Sequence, residues 1–385
     1  MSTQQGYFLI ADITGYTNYL SKSELEHAQQ TLTALLNLLI KHTRPPLIIS
    51  RLAGDAVISY GLRDNFFQGQ TFVEMIEDTY VAFRRTIDLM VMNTTCPCNA
   101  CRNINTLDLK FFVHYGAFGI QKLDGHDEIV GADVIVIHRL LKNTVKEKTG
   151  LQAYALYTDA AIQQLGLGDI CAVMTPHEEE YEHLGGVKTW IQDLRPIWDN
   201  KKTLSHIPFP PKNIIVQVAT DINLPTEKVW DYLIQPEHFN VLAGGTHTVL
   251  ANRRVGRVTE RSVYQCFHGD MVFPQTILEW QPFERILVQL AAPILVANTF
   301  VLVEYRLELT IPGIRLIQSF SRATGPLFGR IMANRLFKSM ADIAQYDLDN
   351  FKNHIEADAS ARGSTPERIV PTTEMVIAAV VESLT

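Results

Sequence analysis

The chain has 385 residues, a length that suggests two globular domains, each able to bury a sizeable core. Hydrophobic residues make up 46% and charged residues 19%, which is average for soluble proteins, and the formal net charge of −7 excludes a broad basic surface for nucleic acid. The N-terminus lacks the basic start and apolar core of a secretory signal, so we expect a cytoplasmic protein.

The first half of the chain alternates strand and helix signals. In chain order the predicted elements are a strand at Tyr7–Ile13, a helix at about Glu24–Thr43, a strand-turn-strand around Gly54 and Asp55, a helix at about Phe72–Asn93, a strand at Leu109–Phe118, a helix near Gly131–Lys142 and a strand at Tyr154–Thr158. This alternation predicts an α+β domain.

A charged, proline-rich segment without periodicity marks a linker at 199–212. We therefore assign residues 1–198 to a first domain and 213–357 to a second. From 358 to 385 the composition becomes small and polar, which predicts a loose tail that carries a short apolar helix at Met375–Val381.

The second half begins with a strand at Ile214–Ile222 and a short helix that starts at Pro225. Several alternating strands follow, and a long helix is predicted from about Phe328 to Ile355. The longest apolar run, Leu287–Val303, approaches the length of a bilayer span but is interrupted by polar residues and a proline. Two buried strands around a turn explain that run better, so we expect no membrane span.

Two aspartates in strand-end turns are candidate metal ligands. Asp12 lies at the end of an apolar strand and precedes a glycine-containing turn, and Asp55 lies at a tight glycine turn between two strands. Mg²⁺ requires anionic oxygens held close to the phosphates of a substrate, and such turns can supply them. Aspartate is also common in turns without any metal, so spacing alone leaves both readings open.

The residues around these aspartates resemble class III adenylate and guanylate cyclases. Four segments carry the resemblance in the family's order, namely IADITGYT around Asp12, RLAGDAV around Asp55, VHYGAFG at Val113–Gly119 and VGADVIVIHRLLKN at Val130–Asn143. The resemblance implies a ferredoxin-like cyclase catalytic domain that acts on a nucleoside triphosphate as a homodimer. It also implies two Mg²⁺ or Mn²⁺ ions held by Asp12, Asp55 and the carbonyl of Ile13.

The same resemblance assigns further roles and shows departures from the family pattern. Arg51 replaces the purine-reading lysine, and the acidic purine-reading position falls on Glu128, with Asp127 adjacent. Arg139 matches the catalytic arginine that stabilises phosphate charge. Ile135 replaces the asparagine that positions the ribose, a loss that could lower the rate by about two orders of magnitude.

Three of the five cysteines crowd into one short loop, at Cys96, Cys98 and Cys101. In a reducing compartment this spacing can supply three thiolates to a structural Zn²⁺. The fourth ligand is not evident from the sequence, because Cys171, several histidines or a residue of a partner chain would all serve. Three loop thiols that simply pack or stay reduced are the alternative.

The second half resembles the START and polyketide-cyclase superfamily (SRPBCC) over roughly Pro211–Glu356. The resemblance rests on Ile214–Phe239 and on the helix at Met340–Glu356. It implies a helix-grip (START-like) domain around a cavity for a hydrophobic small molecule, such as a lipid or polyketide. Tyr264, Cys266 and His268 alternate along one strand, which makes them either cavity contacts or residues of the sheet's outer face.

These features lead to three hypotheses of function. The first is a divalent-metal-dependent nucleotide cyclase, slow in turnover and regulated by a hydrophobic ligand in the second domain. The second is a catalytically inactive module that binds nucleotide and metal. The third is a lipid or polyketide binder that uses its cyclase-like half only for dimerisation.

Overall fold

The computed structural model describes residues 3–123, 126–203, 206–291 and 299–362. They divide into two compact units, and the division along the chain falls within the predicted linker. The helix that precedes this division reaches Thr203. Each unit combines one large sheet with helices, which confirms the predicted α+β class. The predicted tail helix Met375–Val381 lies outside the described residues.

The first unit is built on an eight-stranded sheet. Its elements are β1 (Gln4–Thr14), α1 (Tyr16–Ser21), α2 (Leu25–Thr43), β2 (Ile48–Ala53), β3 (Ala56–Leu62), α3 (Gly69–Asn93), α4 (Asn99–Asn103), β4 (Asp108–Leu123), β5 (His126–Val130), α5 (Ala132–Leu140), α6 (Val145–Thr149), β6 (Tyr154–Thr158), α7 (Asp159–Gln164), β7 (Thr175–Tyr181), β8 (Gly185–Asp193) and α8 (Arg195–Thr203). The strand order is β2-β3-β1-β4-β6-β8-β7, with β5 paired to β4.

Strand β1 lies at the centre of this sheet because both of its faces are apolar. It pairs antiparallel with β3 on one side and β4 on the other, so its backbone groups are satisfied inside the core. On one face Phe8 and Ile10 pack in a cluster with Val134 and Ile137 of α5. This packing fixes α5 against the strand that carries Asp12.

The second unit is a fully antiparallel seven-stranded sheet with four helices among its described residues. Its elements are β9 (Ile214–Ile222), α9 (Thr226–Ile234), α10 (Pro236–Leu242), β10 (His247–Ala251), β11 (Val263–His268), β12 (Met271–Gln281), β13 (Arg285–Ala291), β14 (Phe300–Leu309), β15 (Ile314–Ser321), α11 (Leu327–Ser339) and α12 (Ala341–Ala361). The order is β10-β11-β12-β13-β14-β15-β9. The first strand of the unit, β9, therefore lies at one edge of the sheet and pairs with the last strand, β15.

The long terminal helix predicted from Phe328 to Ile355 is in fact two helices. Met340, with φ −93° and ψ 7°, leaves helical geometry and separates α11 from α12. Both helices bury apolar residues in the same core cluster, among them Ala333 and Phe337 of α11 and Leu348 of α12. A straight helix would present its apolar stripe in one direction, so the break lets two segments pack separately.

The apolar run Leu287–Val303 contributes to two paired strands, β13 and β14, as predicted. Residues 292–298 between those strands lie outside the described residues. Within the part of the chain that the structure describes, none of the helices is both long enough and apolar enough to span a bilayer.

Candidate functional site

Asp12 and Asp55 lie beside each other at one end of the first unit's sheet. Asp12 is opposite Ala56 in the β1–β3 register, and Asp55 occupies the turn between β2 and β3. The amide of Ile13 donates to the Asp55 carbonyl at 3.3 Å, which ties the end of β1 to that turn. Gly54 adopts φ +65°, a conformation that glycine accepts without steric cost.

Burial and neighbouring charges shift the pKa values of both carboxyl groups. Burial raises the pKa of Asp12 above its ordinary value, and the nearby Lys110 ammonium opposes that shift. Burial and the negative charge of Asp12 raise the pKa of Asp55 to about 6. Two partly buried carboxylates that repel each other are stabilised by a cation between or beside them. The residues present therefore fit a divalent ion.

Lys110 belongs to this site and was not predicted from the sequence. It faces Asp12 in the β1–β4 register, and its Nζ lies 3.4 Å from Asp12 Oδ2. The available signal was a single lysine in the apolar strand around Leu109–Phe112, which only the strand pairing connects to Asp12. Lys110 offsets part of the negative charge in the metal-free protein.

Arg51 and Glu128, both assigned to nucleotide recognition, do meet in the structure. Arg51 Nη1 lies 3.4 Å from Glu128 Oε2, and Arg51 Nη2 lies 3.3 Å from Nε2 of His138 on α5. Burial and the Arg51 charge lower the pKa of His138, which favours a neutral imidazole beside the guanidinium. His138 was missed by the sequence analysis. The side chain of Asp127 lies outside the described residues.

Helix α5 carries Ile135 and Arg139 on an exposed surface. Ile135 is 53% exposed, and Arg139 follows four positions later, on the same side of the helix. Both side chains are therefore exposed on the same side of α5.

His114 on β4 and Asp133 on α5 lie in two of the segments that resemble class III cyclases. Hydrogen bonds between these segments hold α5 against β4. Asp133 Oδ2 accepts the amide of Ala117 at 2.6 Å, and Oδ1 lies 3.3 Å from His114 Nε2. His114 Nδ1 is 2.8 Å from the hydroxyl of Thr158, and burial lowers the pKa of the histidine. Gly116 leaves room for Asp133, because a Cβ there would lie only 2.2 Å from Asp133 Cγ.

The structure brings the three loop cysteines together with His27. The ligand atoms of His27, Cys96, Cys98 and Cys101 all lie within 4.8 Å of one another. His27 stands in the first turn of α2, far upstream of the loop, and no spacing rule connects the two. Cys171 instead donates to the carbonyl of Gly168 at 3.1 Å.

The second unit contains a cavity of about 330 Å³ with an apolar wall. His268 lines it, together with Gln275, Tyr305, Gln318 and Asp347. Within the described residues, Gln318 Oε1 is buried without a hydrogen-bond partner, although its Nε2 donates to the Tyr305 hydroxyl at 3.4 Å. An unpaired buried acceptor is costly, and this oxygen belongs to a residue that lines the cavity.

Tyr264 and Cys266 do not line that cavity, although they were considered with His268. Both are fully buried, which also contradicts the alternative that they lie on the outer face of the sheet. The Tyr264 hydroxyl donates to the carbonyl of Ile234 at 3.2 Å, and Gln275 Nε2 donates to Cys266 Sγ at 3.4 Å. Both residues belong to the hydrophobic core of the second unit.

Comparison with known sequences matches part of this chain to a family model and to a curated protein. Residues 32–149 match a family described as "Protein of unknown function (DUF2652)", a span that covers under a third of the chain. The uncharacterized protein Rv2561/Rv2562 of Mycobacterium tuberculosis is 31% identical over 112 residues, which are 29% of this chain and 50% of that protein. The chain thus matches half the length of this curated relative.

Among solved structures, about half of the chain is similar in fold to nucleotide cyclase domains. A bacterial light-regulated adenylyl cyclase matches 53% of this chain and 100% of its own, with 11% identity and a TM-score of 0.38. The guanylate cyclase domain of RhGC from Catenaria anguillulae, in complex with GTP, matches 50% and 99%, with 19% identity and a TM-score of 0.33. The adenylyl cyclase CyaB from P. aeruginosa matches 50% and 95%, with 16% identity and a TM-score of 0.34.

Proposed function

We propose that the first unit binds a nucleoside triphosphate with Mg²⁺ or Mn²⁺ and converts it slowly to a cyclic nucleotide. The observation that carries this proposal is the position of Asp12 and Asp55 at the same end of the paired strands β1 and β3, where burial and the charge of Asp12 raise the pKa of Asp55 and so the cost of ionising it. A divalent ion removes that cost and brings the phosphates of a nucleotide to the same place.

The positions of the other candidate residues support the same proposal. The motif residues fall at the end of β1, in the β2–β3 turn, on β4 and β5 and on α5, in the order expected for a class III cyclase domain. Arg51 and Glu128 form a polar pair with donors and an acceptor that can read the edge of a base. A catalytically inactive nucleotide-binding module would show the same arrangement.

The chain's own groups have separate tasks in the proposed reaction. Asp12, Asp55 and the carbonyl of Ile13 would hold the metal, which when bound supplies charge stabilisation and acidifies the ribose hydroxyl. Arg139 would donate to the phosphate oxygens as negative charge develops there. Ile135 offers no hydrogen bond to the ribose, so alignment of the attacking hydroxyl is poorer and turnover slow.

The first experiment measures metal binding and product formation in the same protein. Thermal shift with Mn²⁺ and each of the four nucleoside triphosphates should show stabilisation that requires both metal and nucleotide, and chromatography should detect a cyclic product. Asp12→Asn and Asp55→Asn should lose both signals, because each removes a charged ligand. The exposed Asp169→Asn serves as the matched control and should keep them.

A full loss of both signals in the folded wild type would contradict the proposal. Stabilisation by metal and nucleotide without any product would favour the inactive binding module instead. Product formation that survives in Asp12→Asn and Asp55→Asn would show that the reaction belongs to another site.

A second proposed function concerns the cavity of the second unit, which we infer binds a hydrophobic small molecule. The order of one strand, two helices, six strands and terminal helices supports a helix-grip, START-like assignment. The specific observation is Gln318, a residue of the mainly apolar cavity wall whose buried Oε1 lacks a hydrogen-bond partner among the described residues. We expect a ligand with an apolar body and one hydrogen-bond donor, whose binding would regulate the first unit.

Binding can be tested with N-phenyl-1-naphthylamine, a fluorescent apolar probe that carries one N–H donor. Val303→Trp should abolish its binding by filling the cavity, whereas Leu309→Trp, at an exposed position of the same strand, should not. Gln318→Met should weaken binding by up to about tenfold, the cost of one hydrogen bond. Equal binding by Val303→Trp and wild type would place the probe elsewhere and contradict the cavity assignment.

A further inference from the structure

We propose that His27, Cys96, Cys98 and Cys101 form a structural zinc site in the first unit. His27 Nδ1 lies 3.3 Å from Cys98 Sγ and 3.6 Å from the sulfurs of both Cys96 and Cys101. Tetrahedral Zn²⁺, with bonds near 2.3 Å to sulfur and 2.1 Å to nitrogen, places such atoms about 3.6 Å apart. The nitrogen therefore already stands at the edge length of a zinc tetrahedron from each sulfur.

Hydrogen bonding alone does not account for this arrangement. A neutral imidazole nitrogen carries either one hydrogen or one lone pair, so Nδ1 can make one good hydrogen bond and not three. Three sulfurs nevertheless surround it at nearly equal distances. The sulfurs are close enough that small side-chain rotations bring all four atoms, now within 4.8 Å, into contact with one ion.

The ligand set and its surroundings favour zinc over other metals. Three thiolates and one imidazole complete a tetrahedral site without an open position, which is typical of structural and not of catalytic zinc. Cys98 caps helix α4, and the amide of Cys101 donates to its sulfur at 3.4 Å. Such amide donors orient a ligand and stabilise the negative charge that metal-bound thiolates carry.

A second set of contacts holds the loop against α2 next to the ligands. Glu24, which precedes α2, accepts the amide of Ala100 at 3.0 Å and the side chain of Asn99 at 3.3 Å. The loop thus joins the start of α2 both through His27 and through Glu24. The metal would cross-link α2 to the connection between α3 and β4.

The cross-link lies close to the candidate metal-nucleotide strand. Gly15, three residues after Asp12, packs so tightly on the loop that follows α4 that a Cβ would meet the Thr106 carbonyl at 3.1 Å. Zinc would therefore hold the scaffold on which the turn after β1 rests. This role is structural, and it holds whether or not the first unit turns over nucleotide.

The test is the zinc content of the full-length protein, purified under reducing conditions and measured by mass spectrometry. We expect one zinc per chain in the wild type. Cys98→Ser and His27→Asn should weaken zinc binding by more than about a hundredfold in chelator competition, since even loss of an outer partner costs 10–100-fold. Cys171→Ser and His42→Asn, a histidine near the other end of α2, are matched controls that should retain the metal.

Cobalt replacement keeps the proposal testable even where a ligand variant does not fold. Wild type loaded with Co²⁺ should show the visible absorption of a tetrahedral site and charge-transfer bands scaled to three thiolates. A wild type that takes up neither zinc nor cobalt would overturn the proposal. His27→Asn with unchanged zinc affinity would overturn the assignment of His27 as the fourth ligand.

Discussion

Ile135 is the residue at which the proposed nucleotide site departs from the class III cyclase pattern, which has an asparagine there. The side chain is 53% exposed, so a polar replacement should cost little stability. Ile135→Asn should accelerate Mn²⁺-supported cyclisation by up to about a hundredfold, because an amide can align the ribose. Initial rates with each triphosphate measure the effect, and Val173→Asn, at another exposed apolar position, controls for a general effect of asparagine.

Activity measurements on wild type and Ile135→Asn also distinguish a slow cyclase from an inactive binding module. Wild type and Ile135→Asn that both stay inactive with every triphosphate, while folded and dimeric, would reclassify the first unit as a binding module.

Asp55 makes the free energy of unfolding of the metal-free protein depend on pH. Its pKa is about 6 when folded and about 3.8 when unfolded, so the folded state binds more protons between those values. The free energy of unfolding therefore falls as pH rises from about 4 to 6 and stays lower above that range. Asp55→Asn should remove this loss and, in the presence of EDTA, stabilise the protein at pH 7.5 by about 1 kcal/mol after allowance for solvent screening.

Urea titrations at pH 4.5 and 7.5 test this expectation. The advantage of Asp55→Asn over wild type should shrink at the lower pH, where Asp55 is largely protonated in the folded state. A variant that is less stable than wild type at both values would show that the charge of Asp55 is not destabilising.

The sequence revealed candidate residues only where neighbouring residues carried a pattern. Asp12, Asp55 and Arg139 stand in such local motifs. Lys110 and His27 do not, because each meets its partners through strand pairing or across more than sixty residues of chain. Local spacing cannot encode those contacts, which only the folded sheet and helices create.

Gly116 is a strict requirement of the contact between β4 and α5. A methyl group there would overlap the carboxyl group of Asp133, which in turn binds the Ala117 amide and His114. Gly116→Ala should therefore destabilise the first unit by about 1–3 kcal/mol, the usual cost of overpacking. Gly168→Ala, where an added Cβ has open space, is the control and should change the urea midpoint little.

Periodicity predicted the bounds of several elements, and one clear failure has a physical cause. Tyr154–Thr158 and Ile214–Ile222 are strands with the predicted limits. The break at Met340 was missed because neither proline nor glycine marks it. The break arises because α11 and α12 pack separately on the core. The periodicity of a single sequence does not reveal such tertiary contacts.

At the scale of the whole molecule, we propose that the nucleotide site is completed only in a homodimer, with Arg139 supplied by the partner, as the resemblance to class III cyclases implies. Asp55→Asn and Arg139→Ala should each be inactive alone. Mixed in equal amounts and allowed to exchange, they should recover about a quarter of wild-type activity, because half of the dimers then contain one intact site of two. Sedimentation should show a dimer at micromolar concentration, and a monomer there, or no recovery on mixing, would refute the shared site.

The distance along the chain between His27 and its three cysteines has a consequence for the order of folding. Cys96, Cys98 and Cys101 are 69, 71 and 74 residues away from His27. Strands β2 and β3 and helix α3 lie between them, so the complete ligand set assembles only after that hairpin and helix have docked. Full metal capture therefore belongs to a late step of folding, and a short peptide that contains the cysteine loop would hold zinc only weakly.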